Sequence, residues 1–208
     1  GISDILQSQA EDEAFAIREL NHLFHPYADL LPLVTRQLGL WICQAPASVA
    51  PRIWDATATM ADRMASWALR NWSIHTEADL DRYTFSVAGA VGLLICDIGA
   101  WFDGSQMHRA AAVQFGRGLQ TVNIMRNRQE DLTRGIDFFP VGWTFEDMEA
   151  YARRNLTLAQ EYAGTLPKKP FTYFIRIPLV LASATLDALA RGETKLSRTA
   201  VLKLVQSA

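Results

Sequence analysis

The chain has 208 residues, half of them hydrophobic and a fifth charged, which is enough to bury a sizeable core and too apolar for a disordered chain. Twenty Lys and Arg against 22 Asp and Glu leave a net charge of −2. No basic surplus exists to hold a nucleic-acid backbone, and that class of partner is excluded. Cys43 and Cys96 are far apart and at no metal-binding spacing, which fits a reducing compartment. The polar start, Gly1-Ile2-Ser3-Asp4, lacks the basic region of a signal peptide. The apolar runs at 87–96 and after Ile177 are cut by Asp97 and Asp187, short of the ~20 residues of a spanning helix. The expectation is a cytoplasmic protein, with peripheral membrane association left open.

Apolar residues recur at spacings of three and four almost throughout, which predicts an all-α protein with one domain over 1–208. A first helix is expected over 3–24, with Pro26 just beyond it, and a second over 28–43, with Pro32 tolerated in its first turns. A third is expected over 50–71. Thr76-Glu77-Ala78-Asp79 reads as a capping-box start for a fourth helix reaching Phe102. Asp103-Gly104-Ser105 turns the chain into a fifth helix over 106–133, and 134–143, with Gly135, Pro140 and Gly142, is a loop. Thr144 caps a sixth helix that ends at Gly164. A seventh starts near Pro170, bends at Pro178 and stops at Gly192, and Ser197 caps a short last one.

The fifth of these helices carries the informative pattern. Gln120, Asn123, Asn127 and Asp131 follow one another at three, four and four, and so share one face. Amides and a carboxylate in line, among small and apolar neighbours (Gly116, Gly118, Leu119, Val122), suggest a surface that meets a ligand. Glu130-Asp131 beside Arg126 and Arg128 adds mixed charges suited to a diphosphate and its metal. On the fourth helix Tyr83, Val87 and Val91 recur at four. Ala88, Gly89 and Gly92 permit close approach by either a neighbouring helix or a ligand tail. Glu19-x-x-His22 lacks the second copy a di-iron bundle needs, and Gly116-Arg117-Gly118 has no preceding strand for a dinucleotide fold. Trp54, Trp67, Trp72, Trp101 and Trp143 are expected in the core or at its rim.

Several segments resemble the squalene/phytoene synthase family. Tyr83 to Gly92 resembles its Y-x-x-x-V-A-G-x-V-G signature. Gly118-Leu119-Gln120-Thr121-Val122-Asn123-Ile124-Met125-Arg126, followed by Glu130-Asp131, resembles its second aspartate-rich motif. The loop 135–140 resembles the G-R-x-Y/F-x-P that follows, and Phe174-Ile175-Arg176-Ile177-Pro178 with Ala184-Thr185-Leu186 resembles a stretch of the eukaryotic-type squalene synthase branch. Lys195-Leu196-Ser197-Arg198 is similar to a basic element near the family's C-terminal end.

The resemblance implies an isoprenoid synthase fold around a central cavity. It implies a transferase that condenses two prenyl diphosphates head to head, farnesyl diphosphate first among them, with Mg²⁺ and, in the squalene branch, NADPH. Carried over by position, Tyr83 and Phe174 would be catalytic, and Val87, Val91, Gly92, Gln120, Asn123, Arg126 and Asn127 would contact substrate. Asp131 and Glu130 would meet the metal. Oligomeric state is not implied.

Three departures stand out. The family's first D-x-x-x-D motif is absent, the first aspartate of the second motif is Asn127, and the loop's arginine is Ile136. A neutral amide is a weak Mg²⁺ anchor. The alternative expectation is therefore a family descendant that binds a prenyl lipid or serves as an assembly factor without synthesis.

Overall fold

The computed structural model describes residues 4–5, 13–167 and 169–207. The beginning of the expected first helix, at 3 and 6–12, lies outside them. Every regular element among the described residues is helical. Two compact units are distinguished, Gly1–Ala65 and Ser66–Ala208, and their boundary falls within one helix.

In the first unit α1 spans Glu13–Phe24 and runs into a 3₁₀ turn at His25–Tyr27. The continuous helix expected over 28–43 is instead two short pieces, α2 (Leu33–Arg36) and α3 (Leu38–Ile42). Pro32 is extended (ψ 150°) and stands outside the helix as its N-cap. Gln37, at φ −96° and ψ 14°, breaks the next turn. Helix α4 follows at Ala50–Leu69. Leu20, Phe24, Ile42 and Ala58 form a small core here, with Trp54 against it. The Trp54 indole donates to the Ile42 carbonyl at 3.1 Å.

The second unit holds the larger core, the predicted capping box on Thr76 and the predicted cap at Thr144, which is also a capping box. Helix α5 covers Glu77–Thr84. Thr76 Oγ1 accepts from the Asp79 N–H at 3.1 Å, and Asp79 Oδ2 accepts from the Thr76 N–H at 3.0 Å. The Thr76 hydroxyl, donating to Asp79 Oδ2 at 2.8 Å, foremost, and then the Arg82 guanidinium and the His75 and Thr76 N–H groups lower the Asp79 carboxyl to about 2. Helix α8 (Phe145–Thr165) starts the same way on Thr144 and Asp147. Between α5 and α6 (Ala90–Asp103) lies a π-helical segment, Phe85–Gly89. The fourth helix of the sequence reading is therefore continuous but not α throughout. A buried Thr84 bonds the Leu80 carbonyl just before it, a side-chain intrusion of the kind that loosens an α-turn.

Gly104, at φ +71°, ends α6 in the left-handed region that favours glycine. Helix α7 spans Arg109–Thr133, starting three residues later than expected because His108 is its cap: His108 Nδ1 accepts from the Ala111 N–H at 3.3 Å. Helix α9 covers Pro170–Ala190 with Pro178 inside it, Gly192 follows its end at φ +82°, and α10 covers Arg198–Ser207. The core gathers Leu80, Phe115, Val122, Met148, Tyr151, Leu156 and Leu186 from α5, α7, α8 and α9.

The expectation that no apolar run reaches spanning length is corrected. The π segment joins α5 and α6 into a 27-residue helical stretch, Glu77–Asp103, and this stretch and Pro170–Ala190 are both long and apolar enough to cross a membrane by length and composition. The core helix of a soluble protein passes the same test.

Candidate functional site

Glycines set the site's frame. A Cβ on Gly92 would overlap the Ala112 carbonyl of α7, and one on Gly116 would overlap the Ala88 carbonyl on the π segment. The small residues of both motifs thus bring two backbones into contact. Of the two uses open to them, helix packing is the one realised. Val87 and Val91 sit half-buried on the same run, with Val87 packed against the core.

Tyr83, in the last turn of α5, is 5% exposed. Its ring stacks on Phe138 with centroids 4.6 Å apart and planes at 16°, and Trp67 and Trp72 meet it edge-on at 5.5 and 6.5 Å. The Trp67 indole donates to Ser86 Oγ at 3.3 Å, fixing one wall of this box. Phe138 comes from the loop after α7, so that loop and Tyr83 are joined directly. Burial pushes the Tyr83 phenol up to about 12. The Asp131 carboxylate pushes the same way, and a hydrogen bond with Gln120 opposes both. Tyr83, Gln120 and Asp131 are thus brought together from two helices.

The rest of the polar face is bonded within itself. Asn123 Oδ1 accepts from Asn127 Nδ2 at 3.0 Å and from Arg126 Nη2 at 3.3 Å, and Arg126 Nε donates to Asn127 Oδ1 at 3.3 Å. Asp131 is buried and paired with Arg134. Glu130 is exposed, 3.8 Å from the same guanidinium. The mixed charge cluster read from the sequence is divided, because Arg128 turns away. It forks onto Asp137 through Nε (3.3 Å) and Nη2 (2.8 Å) and lies 3.7 Å above the Phe139 ring.

Other residues stand apart. Phe174 is 61% exposed, its nearest ring Phe171 at 6.2 Å. Gly92 lines an apolar cavity of about 30 Å³ with Ile95, Phe115, Ala159, Ile175 and Leu179. Tyr83, Val87, Gln120, Asn123 and Phe174 do not line it. Trp67 and Trp72 lie in the core and at its rim as expected, but their place around Tyr83, and that of Phe138, was missed by the sequence reading. Phe138 lies inside a recognised loop motif and was within reach of it, whereas the two tryptophans carry no spacing signal.

The donor set does not fit a carboxylate-rich Mg²⁺ cluster. Among the described residues no group of three or more His, Cys, Asp or Glu side chains comes together. Asp131 is committed to Arg134 and Asn127 to its neighbours. Mg²⁺ dehydrates reluctantly and needs carboxylates free to receive it.

Residues 43–147 match the family model for squalene/phytoene synthase. A phytoene synthase of Thermus thermophilus is 31% identical over 112 residues, covering 41% of this chain and 38% of that protein. A 15-cis-phytoene synthase of Enterobacter agglomerans is 33% identical over 97 residues, 46% of this chain and 32% of the relative. The matched region spans about a third of the length of these curated relatives. Among solved structures, a ligand complex of TcSQS superposes with a TM-score of 0.68 at 21% identity, covering 99% of this chain and 74% of that one. A dehydrosqualene synthase complex gives 0.58 at 15% identity, with 99% and 80% covered. These likenesses establish the isoprenoid synthase fold, and the motif-bearing match over half the chain establishes more: the chain belongs to the squalene/phytoene synthase family.

Proposed function

We propose that the protein carrying this chain binds a prenyl diphosphate, with farnesyl diphosphate the first candidate, in the manner of a head-to-head prenyl synthase but with little or no turnover. The observation that carries this reading is the polar face of α7. Three amides and Arg126 stand beside a buried Asp131 and the Tyr83 phenol. Amides can donate to diphosphate oxygens without the repulsion that added carboxylates would bring, and Arg126 supplies positive charge. The half-buried valines of the α5–α6 run offer apolar surface for a prenyl tail.

Slow turnover follows from what positions 127 and 136 lack. A preorganised electrostatic group contributes roughly 10²–10³-fold to the rate. An amide and an isoleucine stand where two such groups would act, and non-additivity tempers the product of the two losses. In this reading Mg²⁺ enters only together with the diphosphate, and association with a membrane is peripheral.

The test is a thermal-shift and calorimetric titration with farnesyl diphosphate, with and without Mg²⁺. Lipid extraction after incubation with Mg²⁺ and NADPH completes it. Stabilisation without product is expected. Absence of stabilisation overturns the binding assignment, and a condensed product at ordinary turnover overturns the assignment of slow chemistry. A second reading, a lipid-binding or assembly role with no diphosphate recognition, is favoured by the commitment of Asp131 to Arg134. It predicts that farnesol stabilises the protein as strongly as its diphosphate.

A further inference from the structure

A polar cleft of about 360 Å³ lies between the loop after α4 and the loop after α7. It shares none of Gln120, Asn123, Arg126, Asn127 and Asp131, and it meets the residues invoked for the prenyl-diphosphate reading only at Ile136. Its rims are tied by one backbone hydrogen bond, from the Val141 N–H to the His75 carbonyl at 3.2 Å. Asn71 and Trp72 are both left-handed, at φ 51° and 56°. That costs free energy for residues other than glycine and persists only where surrounding packing imposes it. Here the Trp72 ring is held edge-on between Tyr83 and Phe138.

The cleft's hydrogen-bonding inventory is unbalanced. Its one carboxylate, Asp137, is used: Oδ1 accepts from the Phe139 N–H at 3.0 Å and from Arg128 Nε, and Oδ2 accepts from Arg128 Nη2. Among the described residues no acceptor meets Arg128 Nη1, the Asn71 amide or the indole N–H groups of Trp72 and Trp143. His75 adds an imidazole whose Nε2 meets Ser73 Oγ at 2.7 Å. Arg128 is already oriented by its fork and by the Phe139 ring beneath it, so little freedom is lost when it meets a ligand. Spare donors beside an oriented guanidinium suit an acceptor-rich anion. The volume lies in the range of small-molecule sites, about 300–1,000 Å³, which is more than an inorganic anion fills. Two half-buried indoles line the remainder.

We propose that this cleft binds a small aromatic anion, its phosphate or carboxylate received by Arg128 and the neighbouring N–H donors, its ring lying against the Trp72 and Trp143 indoles. The site is distinct from the proposed prenyl-diphosphate face. The experiment follows the indole ¹H–¹⁵N signals of the whole chain during titration with phenyl phosphate, benzoate and inorganic phosphate. Saturable shifts confined to Trp72 and Trp143 are expected with one or both aromatic acids, at dissociation constants below about 1 mM. The acid that binds more tightly identifies the acid group preferred. Inorganic phosphate should bind at least tenfold more weakly.

Arg128→Gln should weaken aromatic-acid binding at least tenfold while leaving the thermal shift with farnesyl diphosphate unchanged, so this proposal and the previous one fail separately. Should that variant not fold, the pair Arg128→Gln with Asp137→Asn removes the stranded carboxylate, and the same loss is expected. No saturable shift up to about 10 mM, affinity unchanged without Arg128, or equal binding of inorganic phosphate would each overturn the assignment.

Discussion

Along α7, residues 112–118 and residues 120–131 are built on opposite terms. In the first stretch Gly116 and the carbonyl of Ala112 meet the backbone of the α5–α6 run, with nothing but glycine small enough to fit. In the second, long polar side chains bond one another and leave a face open. The contrast shows how one helix can be held at atomic tolerance and still display variable chemistry. The backbone contact fixes where the amides stand, and the amides themselves are free to change. Substitutions at the glycines of the first stretch should therefore cost stability, and those at Asn123 and Asn127 in the second should alter binding at little cost to folding.

The sharpest way to break this division is Gly116→Ala. The added methyl meets backbone that cannot turn aside, so we expect a loss of roughly 3 kcal/mol, read as an unfolding midpoint in urea. Gly118→Ala should cost less, roughly 2 kcal/mol, because its Cβ meets side-chain atoms of the buried Leu156, Cδ2 at 2.7 Å and Cγ at 2.9 Å, and not a carbonyl. Equal costs at the two positions would mean that backbone contact is not what holds the first stretch.

Next in size is the phenol that joins the two helices. Tyr83 keeps its proton in the folded state up to about 12, against an ordinary value of 10.0. Below pH 10 both states carry the proton and nothing is lost. Between pH 10 and 12 the unfolded chain releases it first, so stability falls as pH rises, by roughly 2–3 kcal/mol. Tyr83→Phe should remove that portion of the alkaline slope in denaturant unfolding. Tyr151, raised by burial and by donating to Asp81 at 2.6 Å, should supply the rest.

In the open stretch, Asn127→Asp places a second carboxylate one turn from Asp131. Calorimetry with Mg²⁺ plus a farnesyl diphosphate analogue should show roughly tenfold tighter metal binding, about 1.4 kcal/mol, with the unfolding midpoint nearly unmoved. Equal metal affinity in both proteins would show that this face is no metal site even when the carboxylate is supplied. The smallest effect belongs to neither stretch. Thr144→Ala removes one capping box of α8 and should cost about 1 kcal/mol in thermal unfolding, a baseline against which the other changes can be judged.

Local signals carried much of the fold. Thr76 and Thr144 announced their helices because a capping box is written within four residues. Gly104 and Gly192 announced the ends because only a left-handed position asks for glycine there. The break at 28–43 was not legible, since Pro32 is tolerable in a first helical turn and only the actual ψ decides whether it starts a helix or stands outside one. At the site, helical spacing put Gln120, Asn123, Asn127 and Asp131 on one face, and Tyr83 reaches that face. The side-chain pairings were out of reach. Arg128 and Arg126 are two residues apart on one helix, and which of them faces Asp137 depends on how the loop after Thr133 folds back. Phe174 fits a motif by sequence, yet its 61% exposure is a property of packing that no local pattern encodes.

The π segment Phe85–Gly89 has a consequence for how this chain tolerates change in length. A π turn holds one residue more than the α turn it replaces. Deleting a single residue between Phe85 and Gly89 would let the segment close as ordinary α-helix with the turns on either side still in phase, whereas a deletion within α5 or α6 would turn everything beyond it by about 100°. Tyr83 is stacked on one side of that joint and Gly92 is seated against Ala112 on the other, so only a deletion that keeps both in phase leaves the two contacts in place. A one-residue gap at 85–89 should therefore be far less damaging than the same gap in α5 or α6. A relative that lacks this residue should show an unbroken α-helix here and keep both contacts.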